Sequence, residues 1–374
     1  MKLENQNILI ISNQPWGDVW YSKQNYAYEL SKLGNQVIFV DPPSPYQFKN
    51  LFFNQFTLKN YTDNLSILSY KNRLPASKFN VLNNQWVTKE LENYLLSNGI
   101  KEYILWTFDP IRLNDPSLFK HAKYKIFHCV DIYEFEYYPN LKKLLAYMGV
   151  MFSTAQSFID DYKDYTKAPM KIVPHGITSD EFTISEEEFK AFDIHVKDYR
   201  LYVGVIDARI DYELLDKLLK QNPNEKFVFI GPLRLPNNPL AHKIFTQKIY
   251  DNLIIAGPKD FKKLKVFIYF AKSCLALMDK NYFGNLVHHH KTLVYLAQGK
   301  PVFSVLCEAY QDLKDLMYLY DNHEELLHMF EKFLNNSEDP QLTQKRIDYA
   351  KKYSFENILR DASNILHKLT PHLS

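Results

Sequence analysis

The sequence predicts an α/β protein built from two doubly wound parallel sheets in tandem. The chain has 374 residues, and at about 100–200 residues per domain this length favours two domains. Short apolar runs typical of buried strands alternate with segments whose apolar residues recur at helical spacing. This alternation occurs twice, on either side of an acidic stretch without strand pattern at 178–197. We expect Rossmann-like domains over 1–180 and 181–350. A C-terminal helix is expected over 351–374, and it could pack against the first domain.

The first elements form a βαβ unit. The run NILIIS at 7–12 predicts a buried strand, the apolar spacing over 26–33 predicts a helix that Gly34 ends, and QVIFV at 36–40 predicts the next strand. Two strands joined by a helix imply a parallel sheet. The same pattern then predicts a helix at 90–96 and strands at 103–107, 125–130 and 150–154.

The second series begins with LYVGVI at 201–206. Its predicted strands are 201–206, 226–230, 253–256, 275–278 and 301–306. Its predicted helices are 212–221, 264–272, 291–298 and 324–334, with a helical region over 341–369. Ligands of open parallel sheets bind beyond the carboxyl ends of the strands. We therefore expect the two sheets to face each other across a cleft, with one ligand on each side.

Composition excludes several classes of protein. Apolar residues make up 46% and charged residues 24%, and 45 Lys+Arg against 43 Asp+Glu give a net charge of +2. This balance argues against a nucleic-acid partner. Three scattered cysteines without a CxxC pair predict a reducing, cytoplasmic location. No apolar run reaches the 18–20 residues of a spanning helix, although segment 142–148 could lie on the inner face of the plasma membrane or form a core helix.

The segment GNLVHHHKTLVYLAQGKPV at 284–302 carries the strongest signal for a ligand site. His289, His290 and Lys291 precede a predicted helix, and a helix N-terminus with an added lysine charge suits a diphosphate. A metal site is a weaker alternative, because adjacent histidines point in different directions and no carboxylate lies nearby in sequence. A solvated polar loop is the third interpretation.

Other strand ends carry candidate residues. Arg209 follows a strand of the second domain and could bind phosphate oxygens or pair with Asp207 or Asp211. Asp131 follows the strand KIFHCV and could accept a proton from a hydroxyl, with Glu134 or Glu136 in reserve, or belong to an acidic surface loop. The aromatic residues of loop 13–25, including Trp16, could stack on a sugar ring or close the end of the domain.

Three passages of the chain resemble GT-B glycosyltransferases of the glycosyltransferase 1/4 type. The passage VPHGITSDEF at 173–182 resembles their domain junction, and KTLVYLAQGKPV at 291–302 resembles their donor-site helix. LIIAGPKD at 253–260, with the helix that follows, is similar to a third family passage. More narrowly, the Trp16 loop and segments 40–43, 105–106, 129–131 and 205–211 resemble the branch that contains the transferases TuaH and GumK.

This resemblance implies a GT-B sugar transferase that uses a nucleotide-diphosphate sugar, with a UDP-sugar favoured, and no cofactor or metal. It places the nucleotide in the C-terminal domain and a glycan or lipid-linked acceptor of surface polysaccharide synthesis in the N-terminal domain. The implied donor-binding residues are Arg209, Gly231, Lys280, His289, His290, Lys291 and Thr292. The implied acceptor-binding residues are Trp16, Gly17 and Asp18, with Asp131 as the general base of an inverting reaction.

The chain departs from the family at one pair of positions. Leu286 and Val294 stand where retaining members carry the two glutamates of an E-x7-E pair, the second of which binds the nucleotide ribose. The departure favours an inverting reaction over a retaining one, and leaves a non-catalytic binding subunit as an alternative. A sugar-nucleotide epimerase of the same architecture is a further alternative, although no grouped carboxylates support it.

Overall fold

The structure is a computed structural model that describes residues 1–17, 20–44, 46–48, 56–138, 140–190, 192–260, 263–280 and 290–371. The chain divides into two compact units. Unit 1 consists of 1–174 and 355–374, and unit 2 consists of 175–354. Each unit is an α/β layer structure with one central sheet.

Unit 1 contains an eight-stranded sheet in the order β3-β4-β2-β1-β5-β6-β7-β8. Its strands are β1 (Asn7–Ile11), β2 (Gln36–Val40), β3 (Thr57–Thr62), β4 (Leu65–Ser69), β5 (Tyr103–Thr107), β6 (Ala122–Cys129), β7 (Val150–Ser153) and β8 (Met170–Ile172). Its helices are α1 (Ser22–Lys32), α2 (Ala76–Ser97), α3 (Leu141–Ala146), α4 (Gln156–Tyr162) and the C-terminal α12 (Phe355–Leu369). All the strands pair in parallel except β3, which lies antiparallel to β4 at the edge.

Helix α12 completes unit 1 although it lies at the other end of the sequence. The Phe355 ring packs edge-on against Tyr26 of α1 at 5.0 Å between centroids. The backbone N–H of Leu3 donates to Ser363 Oγ at 3.0 Å, and the N-terminal ammonium donates to Thr370 Oγ1 at 3.1 Å. The amphipathic pattern of α12 turns Ile358, Leu359, Ala362 and Leu366 inward.

Unit 2 contains a six-stranded, fully parallel sheet in the order β11-β10-β9-β12-β13-β14. Its strands are β9 (Tyr199–Val203), β10 (Phe227–Ile230), β11 (Leu253–Gly257), β12 (Ala271–Ala276), β13 (Val302–Val305) and β14 (Tyr318–Tyr320). Its helices are α5 (Glu186–Lys190), α6 (Tyr212–Gln221), α7 (Pro239–Phe245), α8 (Leu264–Phe270), α9 (His290–Ala297), α10 (His323–Asn335) and α11 (Pro340–Lys351). The strand order reverses between β9 and β12, which makes their carboxyl ends the topological switch point.

The predicted two-sheet α/β fold is confirmed, and several element boundaries require correction. The predicted helix 264–272 ends at Phe270, and β12 begins at Ala271 instead of 275 because the backbone turns extended there. The predicted helical region 341–369 consists of two helices, α11 and α12. In segment 142–148, Leu144 and Leu145 are fully buried, so α3 is a core helix and not a membrane-facing one. Among the described residues, no helix is long and apolar enough to cross a membrane.

Candidate functional site

Glycines end three neighbouring strands at the carboxyl edge of the unit 2 sheet. Gly204, Gly231 and Gly257 follow or close β9, β10 and β11, with φ of 145°, 150° and 68°. A Cβ atom on Gly231 would lie 1.9 Å from the carbonyl oxygen of Gly204. Only glycine permits this close backbone approach. The predicted donor residue Gly231 therefore lets two strand ends lie side by side at the edge of the sheet.

The loop after β9 carries Arg209 at the switch point. Its guanidinium donates to both carboxylate oxygens of Asp207, at 2.9 Å from Nε to Oδ1, 3.1 Å from Nε to Oδ2 and 2.8 Å from Nη2 to Oδ2. Of the alternatives open for Arg209, the ion pair with Asp207 is present, whereas Asp211 accepts from the Leu214 N–H and pairs with His323. The Asp279 N–H donates to the Arg209 carbonyl at 2.9 Å, which joins the loops after β9 and β12.

Lys291 lies in the first turn of α9, beside the same loop. The Val203 N–H donates to the hydroxyl of Tyr295 at 2.9 Å, which holds α9 against the end of β9. The Lys291 ammonium lies 4.5 Å from the centre of the Tyr202 ring. Burial, and the nearby positive charge of Arg209, lower the pKa of Lys291 to about 8, while Asp207 opposes the change.

No carboxylate or carbonyl of the described residues accepts a hydrogen bond from the Lys291 amine. The carboxylate whose charge acts on Lys291, that of Asp207, is already paired with Arg209. A half-buried cation without an anionic partner is costly unless a ligand supplies the anion. Lys291, Arg209 and the glycine-lined strand ends can therefore receive a phosphate group.

The other predicted donor residues occupy varied positions. His290 pairs with Glu181 at 3.5 Å, and although burial would lower the pKa of His290, the Glu181 charge raises it overall. The Thr292 hydroxyl is buried and hydrogen bonds with the Tyr310 hydroxyl at 2.9 Å. Lys280 is exposed and lies 3.4 Å from Asp321. His289 and Leu286 lie outside the described residues.

The carboxyl edge of the unit 1 sheet carries carboxylates around a lysine. Asp131 follows β6 and is open to solvent, while Asp109 follows β5 and is fully buried. Lys23 is in the first turn of α1, and the charges of both carboxylates act on it. Partial desolvation raises the pKa of Asp131, and the positive charge of Lys23 opposes that rise. Burial lowers the pKa of Lys23, and the charges of Asp131 and Asp109 oppose that fall.

Asp109 is fully engaged, and Asp131 is not. One Asp109 oxygen accepts from the N–H groups of Ile111 and Arg112 at 2.7 and 3.1 Å, and the other accepts from the Arg112 side chain at 2.6 Å. The Asp131 carboxylate forms no hydrogen bond or ion pair of 4.0 Å or less within the described part of the chain. Asp131 is therefore the carboxylate of this edge that is free to accept a proton.

Four polar side-chain atoms at this edge are buried without a hydrogen-bond partner among the described residues. They are Asn13 Oδ1 and Gln14 Oε1 after β1, Thr154 Oγ1 after β7, and the Tyr133 hydroxyl after β6. Buried polar groups are normally satisfied by protein, water or ligand. The loops at this edge therefore hold polar groups that the described residues leave unsatisfied.

The predicted acceptor residues lie beside this group. The Trp16 N–H of the backbone donates to Asp41 Oδ1 at 2.7 Å. The Trp16 ring packs against the rings of Trp20 and Tyr61 at 5.0 and 4.8 Å between centroids. Part of the Trp16 ring surface therefore closes the end of the sheet. Gly17 has open space around it, and Asp18 lies outside the described residues.

Sequence reasoning missed three residues of these sites, namely Lys23, Asp109 and Tyr202. Asp109 follows the strand 103–107 as Asp131 follows β6, so the same rule about strand ends could have found it. No sequence pattern around Lys23 or Tyr202 indicates a site. Lys23 comes close to the carboxylates only through the packing of α1, and Tyr202 contacts Lys291 only through the packing of α9. Within the described ranges, no three His, Cys, Asp or Glu side chains cluster as metal ligands would.

Comparisons with known proteins show the fold. No protein-family description matches the sequence, and no curated protein resembles it. Among solved structures, sucrose-phosphate synthase from Thermosynechococcus elongatus superposes with a TM-score of 0.73 at 13% identity, covering 98% of this chain and 100% of that one. Anabaena HepE in complex with UDP gives 0.69 at 11%, covering 97% and 100%. The α,α-trehalose 6-phosphate synthase of Burkholderia multivorans gives 0.68 at 9%, covering 99% and 100%. The chain has the GT-B fold of these proteins.

Proposed function

We propose that the protein is a glycosyltransferase that moves a sugar from a nucleotide diphosphate to a glycan or lipid-linked acceptor. The observation that carries this proposal is Lys291, a half-buried cation at the switch point of unit 2 without an anionic partner among the described residues. The site lies where ligands of open parallel sheets bind. The similarity to sucrose-phosphate synthase and to HepE in complex with UDP supports the same class of donor.

In the proposed reaction, the diphosphate occupies the edge of unit 2 beside Lys291 and Arg209. Their positive charges stabilise the negative charge that develops on the leaving nucleotide diphosphate. Because Arg209 is held by Asp207 on one side only, its exposed guanidinium still has free N–H donors. Two cations can perform this role without a metal ion, so we propose metal-independent transfer.

Asp131 of unit 1 is the proposed general base. The acceptor hydroxyl attacks the anomeric carbon, the bond from that carbon to the diphosphate oxygen breaks, and the electron pair leaves with the nucleotide diphosphate. The acceptor proton goes to the Asp131 carboxylate. A single displacement of this kind inverts the anomeric configuration, in agreement with Val294 in place of a family glutamate.

The acceptor and location are proposals of the same kind. The unpaired carboxylate of Asp131 at the carboxyl edge of unit 1 fits a hydroxylated acceptor. We propose a growing surface polysaccharide as that acceptor, UDP as the nucleotide, and the cytoplasmic side of the plasma membrane as the location. Membership of the TuaH/GumK-type branch stays a prediction.

A binding subunit without turnover is the second candidate. Val294 is buried in the core of unit 2, so α9 carries no carboxylate at the position that binds ribose in retaining relatives. Such a subunit would bind the nucleotide sugar and would not cleave the bond between the sugar and the nucleotide diphosphate.

Two measurements test the proposal together. Calorimetric titration of the full chain with UDP, GDP, CDP and ADP, with EDTA or magnesium, should show one preferred nucleotide and no need for metal. Incubation with the matching nucleotide sugars and a sugar acceptor should then release the nucleotide diphosphate. The absence of binding to any nucleotide would contradict the donor site, whereas binding without release would favour the second candidate.

A further inference from the structure

One helix of unit 1 exposes large apolar side chains beside lysines. In α2, Phe79, Val81, Leu82 and Trp86 are 47%, 51%, 58% and 41% exposed. We define the α2 surface as Lys78, Phe79, Val81, Leu82, Trp86 and Lys89. The backbone of Phe79 departs from helical geometry, so Lys78 and Phe79 lie before the regular part of α2. Exposed apolar groups flanked by charge are typical of a surface with a partner.

The exposure is not a consequence of incomplete packing. The inner face of α2 is complete, because Val87, Leu91 and Leu95 are at most 1% exposed and lie in the core of unit 1. On its outer face, the second half of the helix carries the polar Asn93 and Ser97, both exposed. The apolar residues are thus confined to the first half of the outer face.

Cations outnumber anions in the sequence around this surface. From 71 to 89 the sequence contains Lys71, Arg73, Lys78 and Lys89 and no acidic residue. Arg73 pairs with Glu90, and its guanidinium lies 5.4 Å from the centre of the Trp86 ring. Among the described residues, no ion pair involves the other three cations. In a chain with a net charge of only +2, this is a local concentration of positive charge.

These features favour an anionic bilayer over a protein partner. Helices that lie on membranes combine Trp, Phe and Leu with flanking lysines, whereas protein interfaces are depleted in lysine. A second copy of the chain, bound symmetrically through the same surface, would bring lysines of one copy close to lysines of the other. We propose that the α2 surface binds the headgroup region of an anionic lipid membrane.

The position of α2 connects this surface with the acceptor edge. The Asn84 side chain donates to the carbonyl of Ile111 at 2.9 Å and accepts from the Leu113 N–H at 3.3 Å. This loop follows β5 and contains Asp109. Membrane contact by α2 thus places the carboxyl edge of unit 1 next to the bilayer. Resting on the proposed function, this arrangement identifies the acceptor as lipid-linked.

Vesicle sedimentation tests the surface without any sugar. The full chain is mixed with vesicles of equal phosphatidylglycerol and phosphatidylcholine, or with phosphatidylcholine alone. We expect binding to the anionic vesicles that salt weakens, and at least about tenfold weaker binding after Lys78→Gln with Lys89→Gln. Phe79→Ser with Leu82→Ser and Trp86→Ser should abolish binding. A matched control, Leu233→Ser with Ile249→Ser and Tyr269→Ser, changes side chains of unit 2 that are 46%, 49% and 47% exposed and should bind as the parent does.

A second readout locates the contact. Brominated lipids should quench the fluorescence of the parent and quench it less in Trp86→Phe, which keeps an aromatic ring and should still bind. Failure of the parent to bind anionic vesicles, or undiminished binding of the triple serine variant, overturns the proposal. Because these assays contain no nucleotide sugar, vesicle binding without turnover would reject the proposed function alone, and turnover without vesicle binding would reject the membrane surface alone.

Discussion

The carboxyl edges of the two sheets share a topology and differ in chemistry. In unit 2 the edge presents Lys291 and Arg209 over strand ends closed by glycine. In unit 1 the corresponding edge presents Asp131 and Asp109 around Lys23, with several unsatisfied polar atoms. Cations at an open edge suit a phosphate, and a free carboxylate among polar groups suits a hydroxyl. One architecture, used twice, thus carries two cations at one edge and a free carboxylate at the other.

The lysines of the two edges make the difference clear. Both lie in the first turn of a helix, and burial lowers the pKa of both. Lys23 has two carboxylates that oppose this change, whereas Lys291 has Arg209 beside it and a carboxylate that is already paired. A ligand anion is therefore expected at Lys291 and not at Lys23. The following predictions test this contrast.

Asp131→Asn should have the largest effect. Removal of a general base reduces turnover by about 10²–10⁴-fold, while the affinity for the nucleotide should stay within about twofold because unit 2 is unchanged. Steady-state rates and nucleotide titration measure the two quantities separately. Glu134→Gln, which alters an exposed acid of the same loop, serves as the control. A fully active Asp131→Asn variant would exclude this residue as the base.

Lys291→Ala should weaken binding of the nucleotide diphosphate by about tenfold to a hundredfold, since a charge-assisted hydrogen bond contributes about 1.5–3 kcal/mol. The nucleoside without phosphate should lose little affinity. Calorimetry with both ligands measures the difference, and Lys243→Ala removes an equal charge from the exposed face of α7 as a control. Unchanged affinity for the diphosphate would exclude Lys291, and with it the start of α9, from the donor site.

Gly231→Ala should destabilise unit 2 by about 1–3 kcal/mol, because its φ of 150° is unfavourable for alanine and the new Cβ meets the Gly204 carbonyl. Gly257→Ala provides a comparison, since its φ is also positive but nothing lies within 4 Å of its Cβ position. Urea unfolding should therefore show a smaller loss for Gly257→Ala. If the two variants lose equal amounts of unfolding free energy, backbone strain accounts for both losses, and the contact of the new Cβ with the Gly204 carbonyl adds nothing.

The smallest expected effect is a change of affinity with pH. The pKa of about 8 for Lys291 means that the free protein loses this charge as the pH rises above that value. Phosphate binding favours the charged form, so affinity should fall above pH 8 by up to about tenfold per unit until the pKa of the complex is reached. Titration between pH 7 and pH 9.5 measures the slope. The affinity of Lys291→Ala should not change with pH over this range. If the affinity of the parent is equally independent of pH, Lys291 does not bind the phosphate.

Several features of the protein follow from sequence alone. Strands 36–40 and 103–107 and helix 212–221 coincide with the observed elements, because unbroken apolar runs and helical periodicity depend only on local order. Arg209, Asp131 and Lys291 could be selected because each follows or precedes a recognisable strand or helix. The short α7 and β14 were not predicted, since neither has enough residues to establish a period.

The tertiary structure decided which selected residues are available to a ligand. The Thr292 hydroxyl hydrogen bonds with Tyr310, and the Arg209 guanidinium pairs with Asp207. The Lys291 ammonium lies over the Tyr202 ring and has no ion pair among the described residues. It also brought Lys23 to Asp131 across more than a hundred residues of sequence, and added α12 to unit 1 from the far end of the chain. Local patterns determine elements because hydrogen bonding and periodicity act between near neighbours. Partners, burial and shifted pKa values arise only when distant segments pack, and these are the properties that turn residues into a site.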